Sequence, residues 1–232
     1  MATIGIVGGL GPEGTVHYYR KLARHFGNRA QEDRPGIFID HLWIDRFAAL
    51  LRAEAEDEIR TLLAASLQRL HKAGAELALV ASVTPHMFLA TVRKESPIEV
   101  VDIVEATQQE LVAAGYRTVG LLGTRLTLTR PFFKSGLERA GIRVVVPDER
   151  GVAYLDDLIF GPLASGTKTS EMRDGLAELI GAMTAGEPIE ALVVACTDLM
   201  DLIEPTTALV DPIDCHIRLV ARTLAQRDAR LE

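Results

Sequence analysis

The chain has 232 residues, 48% of them hydrophobic and 25% charged, with a net charge of −7. That length buries a substantial core, as one large domain or two of roughly 100–120 residues, and no long basic run offers a footprint for nucleic acid. No stretch approaches the ~20 uninterrupted apolar residues of a membrane span, and two cysteines, Cys196 and Cys215, are too few for a disulfide framework. The opening apolar run ends at Gly8, too short for a signal segment, so the expected setting is the cytoplasm with reduced thiols.

In chain order, short β-branched runs predict strands at 3–7 (TIGIV), 36–40 (GIFID), 76–82 (ELALVAS), 98–101 (IEVV), 118–122 (TVGLL), 142–146 (IRVVV) and 190–196 (EALVVAC). Amphipathic stretches lie between them. The clearest, 54–73, repeats Ile59, Leu62, Leu63, Leu67 and Leu70 at helical spacing, and the stretch from Ile213 reads as a closing helix. Strands that alternate with helices, several of them apolar throughout, predict an α/β fold with parallel sheets covered on both faces.

The halves of the chain echo one another. IGIVGG at 4–9 resembles VGLLGT at 119–124, an offset of 119 − 4 = 115, and AELALVAS at 75–82 resembles IEALVVAC at 189–196, an offset of 189 − 75 = 114. Two similar lobes are expected, 1–103 plus 209–232 and 104–208, each with a mainly parallel sheet flanked by helices. If a pseudo-twofold relates them, Ser82 and Cys196 occupy equivalent strand ends and face one ligand in the cleft from opposite sides.

The stretch GGLGPEG at 8–14 reads as Gly9-x-Gly11-x-x-Gly14, the dinucleotide fingerprint. A pyrophosphate would meet the carboxylate of Glu13, and the acidic residue expected about 20 positions on has only Asp40 as a candidate. The counterpart GTRLTLT carries hydroxyls at Thr124, Thr127 and Thr129. Two sets of small donors suit a small carboxylate better than a dinucleotide, which remains the weaker reading.

Cys196 ends an apolar strand, and Thr197 is expected to cap a helix beginning at Asp198. Helix amides and dipole there lower a thiol's pKa from about 8.5, against the pull of the Asp198 carboxylate. The alternative is a small buried hydrophobe, which is how Cys215 is read. Ser82 precedes Thr84 and Pro85, a cap and first-turn pair, and could be a turn residue only. The histidines at 17, 25, 41, 71, 86 and 216 form no metal-ligand spacing.

Taken together, GIVGGLGPEGTVHYYRKL, ASVTPHM, VGLLGT and VVACTDL resemble the aspartate/glutamate racemase superfamily, closest to its aspartate racemase branch. IDR at 44–46, YLDDLIFGPLASG at 154–166 and DPIDCH at 211–216 are also similar. The resemblance implies two pseudo-symmetric lobes with the active site between them, no cofactor and a homodimer. It also implies a chemistry in which one cysteine thiolate removes the α-proton and an opposing thiol returns one on the other face. Inversion needs such a pair because the α-proton is weakly acidic, and each partner must have a pKa near working pH.

Carried over by position, the family's first Cys-Asn-Thr motif is Ser82-Val83-Thr84, so a hydroxyl replaces the first thiol and valine the asparagine. Cys196-Thr197 is intact, with Asp198 where glutamate is usual. Arg46 matches the arginine that holds a substrate's side-chain carboxylate. The expected lysine is Ala164, with Lys168 as a stand-in, and His216 matches a C-terminal histidine whose alternative is an ordinary surface or capping residue. The expected substrate-binding set is therefore Gly9, Arg46, Val83, Thr84, Thr124, Thr127, Thr197, Lys168 and His216, around Cys196 and Ser82 as acid/base. The expected activity is racemisation of aspartate or glutamate. Alternatives are one-sided carbanion chemistry by Cys196 alone, such as decarboxylation of a malonate-like acid, and a degenerate non-catalytic amino-acid binder.

Overall fold

The structure, a computed structural model, describes residues 2–204 and 207–231. It divides into two units, Met1–Ile103 with His216–Glu232, and Val104–Cys215. The second unit thus runs to Cys215, beyond the boundary expected at 208, and takes in the last strand and the first turn of the closing helix.

In the first unit, β1 (Thr3–Gly8), α1 (Pro12–Gly27), β2 (Gly36–His41), α2 (Ile44–Arg52), α3 (Glu56–Lys72), β3 (Leu77–Val80), α4 (Leu89–Glu95) and β4 (Glu99–Val100) follow in order. The four strands form one parallel sheet in the order β2-β1-β3-β4. The inner strands β1 and β3 are buried almost throughout, as continuous apolar runs in a sheet covered on both faces must be. The periodic side chains of α3 do what their spacing predicts: Ile59, Leu63, Leu67 and Leu70 are buried together with Val7, Ala78 and Val80 of the sheet. Each such side chain contributes on the order of 1.5–3 kcal/mol when fully buried. A Cβ on Gly5 would lie 3.0 Å from that of Ala75 and 3.1 Å from Leu70, so this strand residue is small where α3 crosses.

The second unit repeats the plan. Here α5 (Ile103–Ala113) leads into β5 (Thr118–Leu122), α6 (Arg125–Thr129), α7 (Pro131–Glu138), β6 (Arg143–Val145), α8 (Glu149–Phe160), α9 (Ser170–Gly186), β7 (Ala191–Val194), α10 (Thr197–Met200) and β8 (Ala208–Val210). Its parallel sheet has the order β6-β5-β7-β8, the same permutation as the first. The final helix, α11 (Pro212–Leu231), starts where Asp211 accepts the Ile213 amide at 2.9 Å. Sequence periodicity missed β8, whose three residues are too few to show alternation.

Both central strands also end earlier than expected. Ala81 N–H donates to Val7 C=O at 2.9 Å and Ala195 N–H to Leu122 C=O at 2.8 Å, and there each ladder stops. Ser82 and Cys196 therefore sit just beyond their sheets, each one residue past the last ladder bond.

Candidate active site

In the first unit the chain turns out of β1 through glycines. Gly9 has φ +82° and Gly11 φ +134°, and a Cβ on Gly9 would lie 2.0 Å from the Leu42 carbonyl oxygen. Glycine is thus required at position 9 by both backbone and space. Its amide, however, is already taken: Gly9 N–H donates to Thr15 Oγ1 at 2.8 Å, and the residue is buried. Gly9, expected among the substrate-binding groups, shapes the loop and has no amide left to offer a carboxylate. Gly14 brings α1 close to the end of β3, since a Cβ there would be 3.4 Å from Ala81 C=O.

Asp40 is likewise committed. It accepts from Ser66 Oγ at 2.5 Å and from two Arg69 nitrogens at 2.8 and 2.7 Å. Burial opposes its ionisation, but these donors hold the carboxyl below its ordinary range. An acid already holding three donors is a poor match for the ribose-binding acid that the fingerprint requires.

Arg46, on the first turn of α2, is exposed and has no hydrogen-bond or ion-pair partner among the described residues. A few residues before it, His41 and Trp43 meet edge to face with ring centroids 4.8 Å apart.

After β3, residues Thr84–Phe88 form a 3₁₀ turn that leads into α4. Its capping position is Val83, with no side-chain cap, so Thr84 is the first residue of the turn and not its cap. Ser82, Val83 and Thr84 are all partly accessible. His86 folds back beneath them: Nδ1 lies 2.9 Å from the Ser82 carbonyl oxygen and 3.2 Å from that of Val83. His216 is fully buried, with Tyr18 O–H donating to Nδ1 at 2.8 Å and Nε2–H donating to Val101 C=O at 3.0 Å. Burial and the neighbouring His86 push its pKa down to about 3. A neutral ring with both nitrogens engaged is an internal brace, which corrects the expectation that His216 touches substrate.

In the second unit, Thr124 precedes α6 with extended backbone, and its hydroxyl lies 3.2 Å from that of Thr127. Thr127 is buried and backs Thr124; of the two, only Thr124 is partly accessible. The Arg125 amide is taken by Asp156 at 2.9 Å.

Cys196 itself, not Thr197, holds the capping position of α10; Thr197 is the first helical residue and bears no cap bond. The thiol is partly accessible. Contrary to the lowering expected from a helix start, burial pushes its pKa up to about 11; the Asp198 and Leu199 amides pull it down, and the Asp198 carboxylate adds to the rise. Four helical residues supply too little field to offset desolvation. Lys168, the expected stand-in for the lysine absent at Ala164, is engaged by Asp201, with Nζ 2.6 Å from the carboxylate. Arg173 donates to the Asp201 carbonyl at 2.7 Å, so the two cations hold the residue that ends α10.

Spacing in the sequence placed Ser82 and Cys196 at the two strand ends; Arg46 came from the family resemblance. Spacing missed Thr15, His86 and Asp201, whose roles come from hydrogen bonds that leave no periodic signal. Among the described residues no His, Cys, Asp and Glu group could hold a metal ion, and no helix is long and apolar enough to cross a membrane.

Two parallel four-stranded sheets of one topology, each with a polar residue just past the second strand of its core, define an α/β protein of the two-lobed racemase fold. Residues 7–220 match the Asp/Glu/hydantoin racemase family, and the chain belongs to it. It is 30% identical to an aspartate racemase homologue from Pyrococcus horikoshii OT3, covering 97% of this chain and 100% of that one with a TM-score of 0.84. A candidate Asp/Glu racemase from Yersinia pestis superposes with a TM-score of 0.89 at 24% identity, covering 96% of this chain and 99% of the other. Glutamate racemase from Francisella tularensis, solved with D-glutamate, shares the fold at 15% identity with a TM-score of 0.69, over 98% and 82% of the two chains.

Proposed function

We propose that the protein is a cofactor-independent racemase of aspartate or glutamate, with Cys196 as the thiol acid/base and Ser82 on the opposing face. The observation that carries this reading is Cys196: a partly accessible thiol two residues past β7, at the start of a helix, in a chain of the racemase family. Arg46 supports the substrate class, because its unpartnered guanidinium suits a second carboxylate. In this reading Lys168 stays with Asp201.

With a pKa of about 11, Cys196 at pH 7 is a thiol, and only on the order of one molecule in ten thousand is thiolate. It therefore returns protons readily and abstracts them slowly. Ser82, a still weaker acid, exchanges the proton on the other face directly or through water. Such an enzyme is slow, and Ser82→Cys quickens it; a well-folded Ser82→Cys protein that is no faster overturns the pairing.

Proton NMR in D₂O with each enantiomer of aspartate and glutamate tests the reading. Loss of the α-proton signal together with loss of optical rotation is the expected result. Exchange with retained configuration would instead leave Cys196 working alone. The hydroxyl at 82 and the apolar Val83 beside it favour that one-sided chemistry as the second reading, and CO₂ release from substituted malonates would establish it. No exchange from any of the four amino acids sinks the acidic amino-acid assignment.

A further inference from the structure

His86 lies beneath Ser82, and nothing in the racemase reading uses it. Its Nδ1 faces two carbonyl oxygens, those of Ser82 at 2.9 Å and Val83 at 3.2 Å. Carbonyls only accept, so Nδ1 carries the proton and donates to both. The ring is buried, and Nε2 is left with a lone pair and no partner among the described residues. An unmade hydrogen bond on a buried nitrogen is destabilising, so stability alone would be better served by an apolar side chain here.

The ring is held from behind. His216 meets it edge to face, with centroids 5.8 Å apart, and His216 is braced in turn by Tyr18 of α1 and by Val101 just past β4. A line of buried polar contacts thus runs from α1 and the end of β4 to the peptide groups of Ser82 and Val83. Among the described residues the second unit lacks this arrangement. By the repeat, Ser82 matches Cys196 (196 − 82 = 114) and His86 matches Met200 (200 − 86 = 114). There the Cys196 carbonyl accepts from the Leu199 amide at 3.2 Å. Among the described residues, the histidine clamp is found at the strand end that carries a hydroxyl and not at the other.

That asymmetry has a chemical reason. A hydroxyl is a far poorer acid and base than a thiol, so its contribution depends more heavily on placement, and a misplacement of about 1 Å costs on the order of 10²-fold. We propose that His86 is a positioning residue for Ser82, its Nδ1–H fixing the two peptide groups from which the hydroxyl is presented. This rests on the racemase reading for its catalytic consequence, though not for the clamp itself.

Two experiments separate those parts. In the first, α-proton washout in D₂O is followed for each enantiomer separately, with Ser82→Ala identifying the enantiomer whose proton faces position 82. His86→Leu and His86→Gln should lower kcat for that enantiomer about tenfold or more, with KM and the other enantiomer's rate nearly unchanged. His86→Asn, which restores a donor close to Nδ1, should recover most of the loss. Equal slowing of both enantiomers, or no recovery by asparagine, overturns the proposal.

The second experiment needs no substrate. In a Ser82→Cys, Cys196→Ala background, the introduced thiol is alkylated with iodoacetamide as a function of pH. Adding His86→Leu or His86→Gln should change its rate at least threefold, while His86→Asn leaves it close to the parent. If no amino acid exchanges in the parent but this pattern appears, the racemase reading falls and the clamp stands. If reactivity ignores position 86, the clamp falls. Should His86→Leu not fold, the asparagine and glutamine variants carry the comparison.

Discussion

At Cys196 two opposed effects meet: burial raises the thiol's pKa and the first amides of α10 lower it, and burial wins, to about 11. The expected consequence is a pH profile. Exchange of the α-proton on the Cys196 face should rise about tenfold per pH unit between 7 and 9, because the thiolate fraction does, with no plateau until the thiol's own pKa is approached. A plateau near pH 8, measured as kcat/KM against pH, would mean that burial does not raise the thiol's pKa in this way. Cys196→Ser should cost on the order of 10²–10⁴ in kcat. Arg46 lives at the same scale: if it holds the second carboxylate as proposed, Arg46→Met removes one charge-assisted contact and should raise KM for aspartate by about 10- to 100-fold. An amino acid without a second carboxylate should be little affected, and a loss in kcat alone would move Arg46 to another role.

Turns and caps decide how those side chains are presented. The loop after β1 depends on Gly9, whose φ of +82° and 2.0 Å Cβ approach to Leu42 C=O leave no room for alanine. Gly9→Ala should destabilise the protein by about 2–3 kcal/mol, read as a lower urea midpoint with an unchanged slope. An unchanged midpoint would show that the loop can move aside. The short turns after β3 and β7 are equally specific: Val83 and Cys196, not the threonines that follow them, hold the capping positions. Threonine is the better cap by composition, but the strands end one or two residues earlier than their apolar runs, and this moves each cap back by one.

For the whole molecule, the first unit carries two buried histidines, and burial lowers the pKa of both. His216 titrates at about 3 when folded and near 6.5 when free, so between those values the unfolded chain binds a proton that the folded one refuses. Stability is therefore full above pH 6.5 and falls as pH drops toward 3, by at most about 1.4 kcal/mol per pH unit from this residue. Urea titrations at pH 7, 6 and 5 should show that fall, and His216→Gln should flatten it. A steeper fall in the variant would contradict the assignment of His216 as a neutral brace.

Much was decided by residue order alone. The offsets of 115 and 114 between the echoing segments imply two sheets of one topology, because the same apolar runs and turn glycines at the same spacing build the same local structure. The strand ends bearing Ser82 and Cys196 and the racemase family followed from that order. Only the tertiary structure decided which polar groups remain available. Gly9 gives its one amide to Thr15, Lys168 pairs with Asp201, His216 is engaged as a brace, and the Cys196 thiol's pKa is raised and not lowered. Each outcome depends on desolvation and on partners distant in the chain, and those arise when the segments pack.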